Sequence, residues 1–262
     1  MRYLIKAKCG VCRYDVRVSQ GGTQIAPQQV DTLFLTMWGG YNFDTWGRFS
    51  LGLHRSTGNI DLKVGDQANP EFLSRDFKGG DGLVRFQIDT IDNSKFPRRG
   101  YSVNATWRAS REGLGADADF EQTQFNFLTV KTWGKHTLVG RVRYDTTKDD
   151  DAAVQDRFRM GGFLNLSGFQ QNELSGQHAG QLTLSYMKHS VEAKKFTSYL
   201  GASLELGNVW QRNENISFDN TITAGSLFVG WDTPLGPVYL AYGQAEGGHK
   251  TIYMFVGQPW KL

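Results

Sequence analysis

Apolar and polar residues alternate along most of this chain. A period of two puts successive side chains on opposite faces of a strand. In GRFSLGLHR, Phe49, Leu51 and Leu53 alternate with Arg48, Ser50, Gly52 and His54. In LVRFQID, Val84, Phe86 and Ile88 alternate with Arg85, Gln87 and Asp89. YSVNATWR sets Tyr101, Val103, Ala105 and Trp107 against Ser102, Asn104, Thr106 and Arg108, and LVGRVRYD, QLTLSY and LGASLELG repeat the pattern. This predicts about eleven strands, near 46–55, 58–66, 82–92, 100–109, 119–131, 135–146, 178–189, 197–208, 221–232, 236–244 and 249–258, with a twelfth near 31–38. No segment sustains a helical period. The segments run 9–12 residues, longer than the usual five or six and close to the ~9–11 tilted residues that cross a hydrocarbon core.

The connections alternate as well. Short ones are expected at RSTGN, NSKFPRR (93–99), TWGK and TPLG, and long ones at 67–81, 110–118, 146–177 and 209–220. Short turns on one side and long loops on the other suit an outer-membrane barrel. The competing reading is a soluble all-β sandwich, which also alternates apolar-in and polar-out. Charges in mid-strand (Arg85, Arg108, Arg141, Arg143, Glu205) suit a wet lumen better than a sandwich surface. Aromatics near strand ends (Tyr101, Trp107, Tyr144, Tyr186, Trp231, Tyr242) suit an interfacial girdle.

Composition agrees with β structure: 262 residues hold 31 glycines, 6 prolines and 13% aromatics. The mean hydropathy of −0.44 does not exclude a membrane barrel, whose apolar face is spread over every second residue. No apolar run reaches the length of a transmembrane helix. The 29 basic and 26 acidic residues are interleaved, so no nucleic-acid partner is expected.

Little in the chain suggests chemistry. Cys9 and Cys12 form a CxxC without a βαβ context or nearby further ligands, the first His being His54, so neither redox nor zinc chemistry is expected of them. The five histidines are scattered. The run Asp149–Asp151 reads as a solvated loop tip before a cation site. No GxSxG occurs. The chain is expected to hold no catalytic residue, cofactor or metal. The first 20 residues lack the apolar core of a secretory signal. Residues 1–30 are left unassigned, as a segment foreign to the domain, and the barrel is placed at 31–262.

The long connection near 146–177 contains an island that calls for packing, MGGFLNLSGF at 160–169. Four segments in order carry a resemblance: FPRRGYSV (96–103), FRMGGFLNLSGF (158–169), WDTPLGPVYLAYG (231–243) and YMFVGQPW (253–260). Together they resemble the C-terminal part of the bacterial surface antigen (BamA-like) outer-membrane barrels, most closely the barrel of patatin-like autotransported phospholipases. The resemblance covers about residues 41–260.

It implies an all-β fold, an antiparallel transmembrane β-barrel. This chain would supply the C-terminal eleven or twelve of sixteen strands, as a fragment of a longer protein. It implies the Gram-negative outer membrane, with outer-membrane lipids, the barrel assembly machinery and an upstream passenger or catalytic domain as partners, and a second copy as a further candidate. The implied function is to anchor a passenger, or to translocate or assemble it. The alternative is the barrel part of a patatin-like phospholipase whose catalytic domain lies outside this chain. The resemblance also implies that the island, with Gly161, Gly162, Leu166, Ser167, Gly168 and Phe169, folds back onto the lumen wall. The family's tip has an Arg before the Gly, paired to a wall acid. Here Ser167 stands there, and Ser cannot form a bidentate ion pair. Anchoring is then expected from Phe169, or from Arg157 or Arg159 reaching Glu205 or Asp232, with Tyr253, Phe255 and Trp260 as the terminal-strand aromatics.

Overall fold

The computed structural model describes residues 2–20, 23–62, 75–193, 196–234 and 236–259. Strands are β1 (Arg2–Gln20), β2 (Thr23–Phe43), β3 (Gly47–Leu62), β4 (Arg75–Asp89), β5 (Arg99–Ser110), β6 (Phe120–Trp133) and β7 (His136–Thr147). They continue as β8 (Phe158–Met160), β9 (Leu174–Gly176), β10 (His178–Ala193), β11 (Phe196–Trp210), β12 (Ile222–Thr233), β13 (Gly236–Ala245) and β14 (Lys250–Val256). Twelve of them form one antiparallel meander, β1 to β7 followed by β10 to β14, while β8 and β9 pair as a separate small hairpin.

Two expectations about the start of the sheet need correction. RSTGN is no turn: β3 runs through it, with Ser56 opposite Phe34 on one side and Gly79 on the other. Turn-type composition is overridden by pairing on both edges. A Cβ on Gly58 would lie 2.1 Å from the Asp31 carbonyl oxygen, so this glycine serves close strand approach. The expected 31–38 strand is part of a longer β2, and β1 lies within residues 1–30. In β1 Tyr3, Ile5, Ala7, Cys9 and Val11 alternate with Leu4, Lys6, Lys8 and Gly10. Cys9 and Cys12 pair with Leu35 and Thr32 in unbroken register. Their odd spacing puts the two thiols on opposite faces of the strand.

One face of the sheet is apolar and uncovered. Leu51, Leu53, Leu182, Leu184, Leu200 and Leu240 lie open on it, as do Leu227 and Met254 at 66% and 79% exposure. A sandwich would bury this face; a barrel turns it to lipid. Trp46, Tyr101, Trp133 and Tyr186 mark its short-turn end, and Trp107, Tyr144 and Tyr242 its long-loop end. The other face is polar yet buried, with Gln181, Thr183, Ser185, Ser203 and Glu205 directed inward. Phe96, from the turn between β4 and β5, stacks at 4.1 Å on Tyr199 of β11 and tilts at 5.5 Å on Tyr239 of β13. Strands distant in the meander therefore share one interior, as in a curled sheet.

Candidate functional site

The segment 148–177 between β7 and β10 packs on the inner face. Its stem is tied by His178, which is 1% exposed. The His178 Nδ1 lies 2.7 Å from Thr146 Oγ1, and Nε2 meets the Asp150 carboxylate. Asp150 also accepts the Asn213 N–H at 3.1 Å. Burial raises the Asp150 pKa, but the Asn213 N–H and His178 outweigh it and hold the carboxyl below its ordinary range.

A short 3₁₀ turn (Val154–Asp156) then reaches β5 and β6. Asp156 meets Arg108 at 2.8 Å, and the same guanidinium meets Asp81 of β4 at 3.0 Å. Gln122 donates to the Asp156 carbonyl at 2.9 Å. Burial raises the Asp156 carboxyl, opposed by Arg108. Further along, Arg143 of β7 donates to the Arg159 carbonyl at 3.1 Å, and Gln181 of β10 to the Leu164 carbonyl at 3.2 Å.

The island itself is built on backbone forms that few residues adopt. Gly161 and Gly162 have φ of +112° and +116°, and a Cβ on Gly161 would lie 2.3 Å from the Gln170 carbonyl oxygen. Leu164 and Leu166 also have positive φ, at 59° and 66°. Both are buried, so packing outweighs a local cost of ~1–3 kcal/mol each. Phe163 is half-buried, with its ring among Phe228, Tyr239, Tyr253 and Phe255.

At the tip, Ser167 and Glu205 are both fully buried. The Ser167 N–H donates to Glu205 Oε2 at 2.8 Å and its hydroxyl to Oε1 at 2.7 Å. Ser203 Oγ donates to the same Oε1 at 2.7 Å. The carboxylate is thus held by three neutral donors. The Gly168 N–H donates to Tyr253 Oη at 2.7 Å, Tyr253 Oη donates to the Phe169 carbonyl at 2.6 Å, and Thr251 Oγ1 donates to the Gly168 carbonyl at 2.6 Å. The Phe169 ring lies 4.1 Å from that of His249.

Two glycines make this approach fit. Gly168 has φ +118°, and a Cβ there would lie 2.5 Å from the Ala245 nitrogen. Gly243 of β13 leaves a notch, where a Cβ would lie 2.8 Å from the Gly168 nitrogen. A glycine in mid-strand signals such an approach, and this one was readable in the sequence. Ser203, Thr251 and His249 were not, because a strand serine, threonine or histidine looks the same with or without a partner loop.

Arg157 and Arg159 lie away from the tip, on the flank that faces β5 to β7. Glu205 is instead taken by the serines, and Asp232 faces Lys95 at 3.8 Å. Tyr253 and Phe255 point inward from β14, while Ile252 and Met254 point outward. Trp260 lies outside the described residues. Among the described residues no group of three His, Cys, Asp or Glu side chains is placed to hold a metal. The arrangement secures a loop across a wall.

No curated protein matches the chain in sequence. Among solved structures, the chain is similar to BamA from Haemophilus ducreyi lacking POTRA domains 1–3, at a TM-score of 0.74 and 14% identity, over 97% of this chain and 57% of that one. It is similar to CdiB from Escherichia coli at a TM-score of 0.67 and 12% identity, over 96% and 49%. The chain thus spans about half the length of these structures, and at such identities they show the fold. In sequence, the Omp85 superfamily domain matches residues 40–260, and the chain belongs to the Omp85 superfamily, as a β-barrel protein of the Gram-negative outer membrane.

Proposed function

We propose that this barrel anchors a passenger polypeptide and takes part in moving it across, or assembling it at, the outer membrane. One observation carries the reading: the 148–177 loop is fastened along the inner wall from Arg108 of β5 to Tyr253 of β14. A loop so held occupies the lumen and organises the wall around it, leaving room beside it. The resemblance to surface antigen barrels adds a sixteen-stranded closure, outer-membrane lipids, the barrel assembly machinery and a second copy as context for this role. The reading assigns no chemistry to the barrel itself.

The test fuses a reporter passenger ahead of the full chain in a Gram-negative host and probes it with external protease. The expected result is a passenger reached from outside in the native protein and retained inside in a Gly168→Val variant. A passenger retained inside by a native barrel that has inserted and become heat-resistant overturns the reading.

The neutral tip favours a second reading. With Ser167 where the family has Arg, the chain most resembles barrels that display patatin-like phospholipases. A serine lipase domain with GxSxG encoded ahead of β1 supports that reading. An upstream sequence without one removes it.

A further inference from the structure

The loop covers the inner wall unevenly. Towards β10–β14 the interior is packed with aromatic and aliphatic side chains. Towards β1–β7 it leaves a cavity of about 680 Å³. Six basic side chains line that cavity (Lys8, Arg85, Arg108, Arg143, Arg157 and Arg159) against two acids, Asp81 and Asp156. Both acids meet Arg108, and Arg143 is paired with Asp145. The cations still outnumber the acids around this cavity, although the chain as a whole is nearly balanced.

Arg85 is the best-placed cation. Its guanidinium lies 4.4 Å over the Trp38 ring, and its Nε donates to Thr106 Oγ1 at 3.2 Å. No acid among the described residues pairs with it. Its terminal N–H groups form the planar fork that suits a carboxylate. A second column runs alongside it: Lys8 Nζ lies 5.6 Å over the Phe34 ring, which stacks at 5.9 Å on His54. Rings under the cations hold them in place and offer apolar contact between the charges.

We propose that this cavity binds an extended acidic stretch of polypeptide, with Arg85 and Lys8 taking its carboxylates and Trp38 and Phe34 its side-chain carbons. The cations sit on several strands, and neighbouring strands lie ~4.8 Å apart. Such spread suits a chain with repeated charges better than a single anion. The cavity opens on the inner face, opposite the lipid-facing leucines, so a membrane phosphate is not its natural occupant. This deepens the proposed function and rests on it for the identity of the polypeptide as a passenger; binding itself is measurable without it.

The test uses the full chain folded in detergent micelles and fluorescein-labelled decaglutamate, read by anisotropy. Decaglutamate is expected to bind, decaglutamine is not, and binding weakens steeply as salt screens the charges. Arg85→Gln with Lys8→Gln is expected to weaken binding about tenfold or more, with heat-resistant folding kept as the control. Equal binding of decaglutamate and decaglutamine, salt-independent binding, or displacement by glycerol phosphate at the same concentration overturns the proposal. If the double variant does not fold, the native salt dependence and the glutamine comparison decide alone. The passenger assay separates the two ideas: decaglutamate binding without transport removes the proposed function and leaves the site. Transport without binding removes the site and leaves the function.

Discussion

Replacing Gly168 with valine places a β-branched side chain where the wall leaves no room. The new Cβ would lie 2.5 Å from the Ala245 nitrogen, 2.8 Å from the Gln244 carbonyl carbon and 2.9 Å from the Ala245 Cβ. Two of these are backbone atoms of a paired strand, so the loop must move and not the wall. At φ +118° the valine backbone is strained as well, at ~1–3 kcal/mol. Retreat of the loop breaks the Gly168 and Phe169 bonds to Tyr253 and Thr251, worth about 0.5–1.5 kcal/mol each. The expected destabilisation is on the order of 3–6 kcal/mol. Urea unfolding in micelles, with mobility in unheated gels as a second readout, measures it. A variant within about 0.5 kcal/mol of the native protein, still heat-resistant, refutes the packed tip.

Gly243→Ala acts from the other side of the same contact, with a methyl 2.8 Å from both the Gly168 nitrogen and the Ser167 Cβ; it should lose ~1–3 kcal/mol in the same assay, and Gly168→Val in that background should add less than it does alone. Glu205→Leu removes the acceptor for two buried donors of Ser167 and for the half-buried Ser203 hydroxyl and is expected to lose ~2–5 kcal/mol, while Glu205→Gln keeps one acceptor oxygen and loses less; equal losses refute the hydrogen-bonded anchor. Phe96→Ala removes a ring that is 3% exposed and should cost ~3–5 kcal/mol, read by urea unfolding. The stem clip should depend on acid: Asp150 has a depressed pKa, so its contribution is present above the ordinary carboxylate value near 4 and is lost as pH falls through the lower folded value. Protease cleavage of the stem should be flat from about pH 8 to 5 and rise only below ~4; a rise confined to about pH 5–7 contradicts the clip.

The long strands from β5 onward were legible because their alternation is strict and their flanking turns carry Gly, Asn or Asp; β4 begins at Arg75, inside the expected 67–81 connection, and the short β8 and β9 lie in the expected loop. β3 was cut in two because RSTGN has turn composition, and single-segment composition cannot show that both neighbours pair through it. β1 was passed over because Lys6 and Lys8 interrupt an apolar reading, although Tyr3 to Val11 keep strict parity. The loop was legible as an apolar island, and its glycines as sites of unusual backbone. Its anchor was legible only in part: Phe169 and Glu205 were expected among the anchoring residues, but the meeting of Glu205 with Ser167 depends on register across 38 residues. The expectation of arginine to acid followed from the resemblance, whose tip pairs an Arg with a wall acid, whereas the geometry fills Glu205 with serine donors.

Tyr239 joins two connections that leave the sheet at opposite mouths. The β4–β5 turn reaches it through Phe96 and the Lys95 carbonyl, which accepts its hydroxyl at 3.2 Å. The long loop reaches it from the other mouth through Phe163, at 5.7 Å. A displacement of the turn at one mouth therefore meets the loop at this phenol, within the shared aromatic cluster. The ring acts as a rivet between the two connections, and whatever grips the turn also has a hand on the loop.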